Sequence, residues 1–393
     1  MTKLLFYADG RSATTRNWLK YWIQRGDEVH LATSFACQEI PGLASLQVVP
    51  VAFSSAKKES INTVKSKSRL WGSGLVKTRL LIRHWLGPLT LPSAGRVLKA
   101  LSEKIQPDLV HAMRIPFEGM TAAAAKIHFP LVVSVWGSDF IQHARSSPLM
   151  GYWTRRSMLA ADGLHPDCER DLRIGRQWGF YEDKPSLVIP GNGGVDPQIF
   201  HRPSEPVTKP IVLNPRGFRS TIKQEVFFRS IPLVLAAIPE ARFLCSSMAG
   251  DADAAAWVRR LGIEASVELL SHLPHEEVGD LLRQTAVLVS PSSFDGTPNS
   301  VLEGMACGCY PVVGDIESLR EWITPGKNGS LVDPNNSKDL ADAIISALQS
   351  PELRLKAAEE NAVIISSRAD YTTGMTKAAT FYQEVIQSYS SKI

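Results

Sequence analysis

The sequence predicts an α/β protein with two doubly wound parallel sheets. Three observations carry that expectation. Short apolar runs alternate with amphipathic helical stretches along most of the chain, 393 residues suffice for two domains, and a polar, proline-rich segment interrupts the alternation near the middle. A content of 44% hydrophobic and 21% charged residues excludes global disorder. The five cysteines (Cys37, Cys168, Cys245, Cys307 and Cys309) are scattered without a CxxC pair, which excludes a disulfide framework and a zinc cluster and points to a reducing cytoplasm. The apolar run at residues 4–7 lacks the pattern of a signal peptide, and no apolar stretch approaches the roughly 20 residues that span a bilayer.

Taken in order, residues 4–8 are a first strand, Asp9-Gly10 a turn, residues 17–24 an amphipathic helix closed by Gly26, and residues 29–33 a second strand. Further strands are expected at 47–51, 109–111, 131–135 and 187–189, with helices such as 94–105 and 119–127 between them. The stretch 201–210, with Pro203, Pro206 and Pro210, has the composition of a linker. A second series follows, with strands at 211–214, 241–245, 267–270, 286–290 and 310–313 and helices at 224–237, 254–261, 276–284 and 300–307. Helices at 337–349, 352–364 and 375–388 finish the chain. The expected division is a first domain over 1–204, a second over 205–372, and a last helix over 373–393 that packs back on the first. Open α/β sheets bind ligands at the carboxyl ends of their strands, so two in tandem predict a shared cleft.

The segment 291–308 carries the chemistry. A strand end, a glycine turn, a helix start and a carboxylate one turn inside that helix follow one another. Asn299 or Ser300 is placed to cap the helix, whose free N–H groups and positive dipole end suit a phosphate. Asp295 and Glu303, with seven residues in between, can meet different parts of one elongated ligand, and a carboxylate recognises a ribose through its vicinal hydroxyls. Glu303 lies beside Leu302 and Met305-Ala306 in a helix with the composition of a buried one.

At these residues the sequence resembles the retaining glycosyltransferases of family 4, which have the GT-B fold of two Rossmann-like domains facing a cleft. The family's acid-x7-acid motif and the E-A-M-A-x-G-x-P-V-V that follows are matched by Asp295, Glu303, Gly304-Met305-Ala306-Cys307-Gly308 and Pro311-Val312-Val313, with Asp in place of the commoner Glu and Gly304 in place of Ala. The resemblance implies that Glu303 binds the ribose of a nucleotide sugar, and that Asp295 with Gly296, Thr297, Pro298, Asn299 and Ser300 holds the sugar and its phosphate. Residues 211–223 are similar to the strand that precedes the family's Arg…Lys pair on the donor diphosphate. Lys223 matches the lysine; Arg216 fits the arginine by position after the strand and Arg219 by spacing. Two such charge-assisted contacts, about 1.5–3 kcal/mol each, suffice to dominate leaving-group stabilisation.

Residues 267–278 resemble the strand, turn and helix that hold the base, with Leu273 in the turn and His272 and His275 as turn residues. Residues 190–200 are similar to the N-G-V-D…F element, with one extra glycine in Asn192-Gly193-Gly194. In the first domain, 131–140 resembles the strand that ends in H-G-x-D, with Trp136 in the histidine position and Asp139 in place; Gly10 and Arg11 resemble the glycine loop near the diphosphate. The catalytic set implied is Asp139, Lys223 and Asp295, with front-face attack, retention of configuration and no metal or other cofactor.

Asp251-Ala252-Asp253 imitates a metal-binding D-x-D but opens an alanine-rich helix, where capping is its expected role. His111 is equally consistent with a cleft residue and a core histidine. The net charge of +4 conceals a segment, Lys57 to Lys104, in which eleven cations face only Glu59 and Glu103, with Trp71 and Trp85 interleaved. Such a segment suits an anionic membrane surface, hence a cytoplasmic protein peripheral to the inner face of the membrane; nucleic acid is not an expected partner. The expected reaction moves a sugar from a nucleoside-diphosphate donor to a hydroxyl of a carbohydrate or lipid-linked acceptor. A nucleotide-sugar-binding subunit without activity, and a sugar-nucleotide epimerase or phosphorylase on the same plan, are the other readings.

Overall fold

The computed structural model describes residues 1–54, 82–218 and 222–391. Arg219 lies outside them, as does most of the basic segment: Lys57, Lys58, Glu59, Lys65, Lys67, Arg69, Trp71, Lys77 and Arg79. Two compact units are present, one of Met1–Val188 with Thr376–Ile393 and one of Ile189–Met375.

The first unit is built on a six-stranded sheet of β1 (Lys3–Ala8), β2 (Glu28–Thr33), β3 (Ser45–Val48), β4 (Leu109–Ala112), β5 (Leu131–Val135) and β6 (Gly163–Pro166). All pairs are parallel and the order is β3-β2-β1-β4-β5-β6. Strands β4 and β5 are buried throughout, which explains their uninterrupted apolar runs. The order reverses direction between β1 and β4, and the loops leaving those two strands therefore diverge around a crevice.

The sixth strand is a correction to the sequence reading. The run at 187–189 forms no strand, and Ser186 makes only an isolated bridge to Leu164. The edge strand is Gly163–Pro166, too short and too poor in apolar residues to stand out. Glycine is required at its start, since a Cβ on Gly163 would sit 2.5 Å from Val385 Cγ2 in the last helix. That helix, Tyr371–Ser390, begins in the second unit and belongs to the first from Thr376 onward. Tyr382 stacks on Trp22 with ring centroids 4.4 Å apart and bonds through its hydroxyl to His111 Nδ1. His111 Nε2 meets Ser134 Oγ at 2.7 Å, and Ser134 Oγ meets His165 Nδ1 at 2.9 Å. His111 is thus a fully buried core histidine, its pKa driven well below the usual value by burial.

The second unit repeats the plan with β7 (Ile211–Asn214), β8 (Arg242–Cys245), β9 (Val267–Leu269), β10 (Val287–Ser290), β11 (Tyr310–Gly314) and β12 (Ser330–Val332). The order is β12-β11-β10-β7-β8-β9, again parallel, with its reversal between β10 and β7. The unit starts at Ile189, ahead of the proline-rich stretch, because residues 189–200 pack on it. Val195 N–H donates to the Ala369 carbonyl at 2.6 Å, and Phe200 is buried in one cluster with Leu288 and Met305. The extra glycine belongs to this contact: Gly194 has φ +132, and a Cβ there would lie 2.6 Å from the Ala369 carbonyl oxygen.

Candidate functional site

In the second unit the loops that leave β7 and β10 build one site. The chain passes from Ser290 through residues 291–298 into the Asn299–Ala306 helix. Asp295 Oδ2 accepts from Arg216 Nη2 at 2.8 Å, the Asp295 carbonyl accepts from Ser318 Oγ at 2.7 Å, and Thr297 Oγ1 accepts from Trp322 Nε1 at 3.0 Å. These bonds fix the turn. The N-cap of the helix is Pro298, which offers no side-chain bond; Asn299 and Ser300 are the first two helical residues and cap nothing. The Ser300 hydroxyl and Arg216 Nε are buried without a hydrogen-bond partner. Unpartnered polar atoms beside an uncapped helix start are suited to receive an anion.

Glu303 follows one turn later, 8% exposed. Burial pushes its carboxyl up to about 7 against the opposing pull of Arg216, and His275 Nε2 lies 3.6 Å from it. Glu303, Ser300, Leu273, Gly217 and Asp251 share the wall of a cavity of about 410 Å³. Asp251 also caps the Ala252–Leu261 helix, accepting from the N–H groups of Asp253 and Ala254 at 3.0 Å each. Gly304 seats the site helix on the sheet, since a Cβ there would lie 2.5 Å from Leu288 Cδ1. Lys223 precedes the Gln224–Ala237 helix. Its N–H donates to the Pro291 carbonyl at 3.0 Å and its neighbour Ile222 bridges to Ser292, which holds this stretch beside the Asp295 turn.

The first unit has its own cavity of about 410 Å³, at the reversal between β1 and β4. Asp9, Arg11, Arg83, Arg114, Glu118 and Trp136 are among its walls. The structure gives two predicted residues other tasks here. Gly10 spends its N–H on Thr33 Oγ1 at 3.0 Å, and a Cβ on it would meet Cys37 Sγ at 2.6 Å, so packing by itself requires glycine here. Asp139 is fully buried: its carboxylate accepts from Arg114 Nε at 2.9 Å and from the Trp136 and Ile115 N–H groups at 3.2 and 3.4 Å. It is not among the residues that line this cavity and it holds Arg114, while the indole N–H of Trp136 bonds to the Met113 carbonyl.

Two family descriptions match this chain: "Glycosyl transferases group 1" over residues 196–363 and "Glycosyl transferase 4-like" over residues 81–164. Both descriptions are of glycosyl transferases, and one falls in each unit of the chain. An uncharacterized glycosyltransferase from Methanocaldococcus jannaschii is 30% identical over 30% of this chain and 34% of its own length. Curated relatives are matched over partial lengths, such as 23% of one and 53% of another. Among solved structures, sucrose-phosphate synthase from Thermosynechococcus elongatus superposes with a TM-score of 0.76 at 15% identity, covering 98% of this chain and 100% of that one. Anabaena HepE in complex with UDP and glucose gives a TM-score of 0.69 at 17% identity, over 97% and 99% of the two chains. The fold is GT-B.

The predicted donor residues divide. Leu273, Ser300 and Glu303 line one cavity, and Arg216, Asp295, Gly296, Thr297, Pro298, Asn299 and the Lys223 backbone frame the adjoining turn. Sequence reasoning missed the buried amide pair that supports them. Asn214 Nδ2 donates to Gln224 Oε1 at 2.7 Å, and Gln224 Nε2 donates to the Arg216 and Gly217 carbonyls. Its signal was available as a polar residue closing an apolar strand and another opening the next helix. Arg114 and Glu118 were missed as well, because neither belongs to a recognisable pattern.

Proposed function

We propose that this protein is a glycosyltransferase that moves a sugar from a nucleoside-diphosphate donor to an acceptor hydroxyl, with retention of configuration and without a metal ion. One observation carries the reading: an uncapped helix start with unpartnered polar atoms, followed one turn later by a buried carboxylate on a cavity wall. The diphosphate takes the helix N-terminus and Glu303 takes the ribose hydroxyls. Arg216 is held by Asp295, so a bound diphosphate competes for its guanidinium and frees Asp295 for the sugar. The bond from the anomeric carbon to the leaving phosphate breaks as the acceptor oxygen attacks on the same face. The acceptor proton passes to the departing phosphate oxygen. The chemistry needs cations on the diphosphate, here Lys223 and Arg216, more than a strong protein base. Anabaena HepE, whose fold this chain shares, forms a complex with UDP and glucose, which supports this donor class.

The acceptor is a polysaccharide or lipopolysaccharide precursor, lipid-linked in the case that the basic segment favours. Ile82, Trp85, Leu86 and Leu89 are exposed within that segment, which suits contact with an anionic membrane. No helix among the described residues is long and apolar enough to cross a membrane.

A thermal-shift screen across UDP-, GDP-, ADP- and dTDP-sugars tests the donor, since a ligand at a hundred times its Kd adds about 2.7 kcal/mol to stability. One nucleotide class is expected to raise Tm, Glu303→Ala to abolish the shift, and EDTA to leave transfer unchanged. A shift that survives Glu303→Ala would remove Glu303 from the site.

A further inference from the structure

We propose that the cavity of the first unit is a phosphate-ester site gripped by Arg83 and Arg114; that the ester belongs to the acceptor rests on the transfer reading above. The cavity opens where the β1 and β4 loops diverge, the position at which doubly wound sheets take ligands. Three arginines line it, and their charges are spent differently. Arg11 is neutralised by Asp9, with Nε and Nη2 on the two carboxylate oxygens at 2.9 and 2.8 Å. Arg114 gives Nε to Asp139, while its Nη2 makes only a long hydrogen bond to Ser138 Oγ at 3.4 Å, on a side chain 41% exposed. Arg83 makes no ion pair among the described residues. Its guanidinium carbon lies 4.6 Å from the Phe117 ring centroid and 5.5 Å from that of Phe35, and its N–H donors make no hydrogen bond among the described residues.

The backbone is strained to make this arrangement. Phe117 is a buried, non-glycine residue at φ +73, in the turn that also presents Glu118 to the cavity. The start of the Ala13–Gln24 helix adds positive potential: Ser12 makes no side-chain cap, no acidic residue occupies the first turn, and Ser12, Thr14 and Thr15 line the cavity. The one carboxylate on the cavity wall not already on an arginine is Glu118, which accepts from Ser34 Oγ at 2.6 Å and is pushed up to about 6 by burial. Burial is the main pull lowering the Arg83 pKa; Glu118 and Asp9 oppose it, while Arg114 and Arg11, the other cations of the cavity, add to it. A carboxylate is satisfied by a single bidentate arginine, whereas a phosphate ester has the oxygens and the charge for two. Trp136 and Met113 leave an apolar wall for the rest of the molecule.

The test is calorimetric titration of the full chain, its donor site saturated with the nucleoside diphosphate found in the screen. The probes are inorganic phosphate, glycerol 3-phosphate and geranyl phosphate. At least one is expected to bind, and Arg83→Gln to weaken it tenfold or more with nucleotide affinity unchanged. Ser12→Asp is the second variant. It improves the helix cap and so spares the fold, while its charge repels the probe by a comparable factor. Tighter binding of geranyl phosphate than of glycerol 3-phosphate assigns a lipid source, and equal binding a soluble one. Unchanged affinity in both variants, or no binding of any probe to the wild type, overturns the site. If no nucleoside diphosphate binds, the transfer reading falls and the same titration without nucleotide still decides the phosphate site.

Discussion

Glu303 is raised to about 7 from an ordinary 4.5 because burial penalises its charge, so its effect on stability has the opposite sign from that of a salt-bridged acid. Below about pH 4.5 the folded and unfolded states are both protonated and the group contributes nothing. Between the two values the folded state holds a proton that the unfolded state has lost, and stability falls as pH rises. Above about pH 7 the full cost is present, about 3 kcal/mol from a shift of this size. Glu303→Gln is therefore expected to be more stable than the wild type at about pH 8, by an amount that shrinks toward about pH 5, while losing donor affinity. Urea unfolding at the two pH values measures the gap; an equal gap at both would mean that the carboxyl is not buried as a charge. A residue retained at a cost to stability is what a binding function explains and packing does not.

At the scale of elements, the caps separate structural carboxylates from functional ones. Asp251 makes both of its cap bonds to the Ala252–Leu261 helix, so Asp251→Ala is expected to cost about 1 kcal/mol in chemical denaturation, with no change in the response of transfer to EDTA. EDTA-sensitive transfer in the wild type that Asp251→Ala removes would return it to a metal role. The same comparison shows where sequence was legible. Helices Gln224–Ala237 and Ser337–Gln349 and strand Ile211–Asn214 stand where their periodicity puts them, because long or wholly apolar patterns leave little choice of register. Gly163–Pro166 and Ser330–Val332 were invisible: three or four residues at a sheet edge need no apolar run. In the site, Glu303 and Ser300 were legible because one helical turn relates them, whereas the cap, expected at Asn299 or Ser300, is Pro298, and those two are already helical. The Asp139–Arg114 pair was not legible, since a contact between residues 25 positions apart is written by the sheet that brings β4 and β5 together, not by local spacing.

For the whole molecule, the last helix decides whether the first unit can stand. Phe381, Tyr382 and Val385 are almost fully buried; Val385 and Phe381 fill the notch over Gly163, and Tyr382 covers Trp22 and closes the His111–Ser134–His165 chain. Full burial of side chains of this size contributes about 1.5–3 kcal/mol each, so losing three removes an amount comparable with the roughly 5–15 kcal/mol that stabilises a whole domain. Ending the chain after Met375 is therefore expected to abolish cooperative folding of the first unit. The second unit, with its own sheet and its own buried clusters, keeps its structure and its nucleotide affinity. Hydrogen exchange resolves the two: peptides of β1–β6 should exchange at once in the truncated chain while those of β7–β12 stay protected. The milder Tyr382→Phe keeps the ring and strands His111 Nδ1 without its partner, a loss of about 1–3 kcal/mol confined to the same peptides. Protection of β1–β6 that survives truncation would show that the sheet and its remaining helices suffice, and that the chain returns to its first unit for some purpose other than stability.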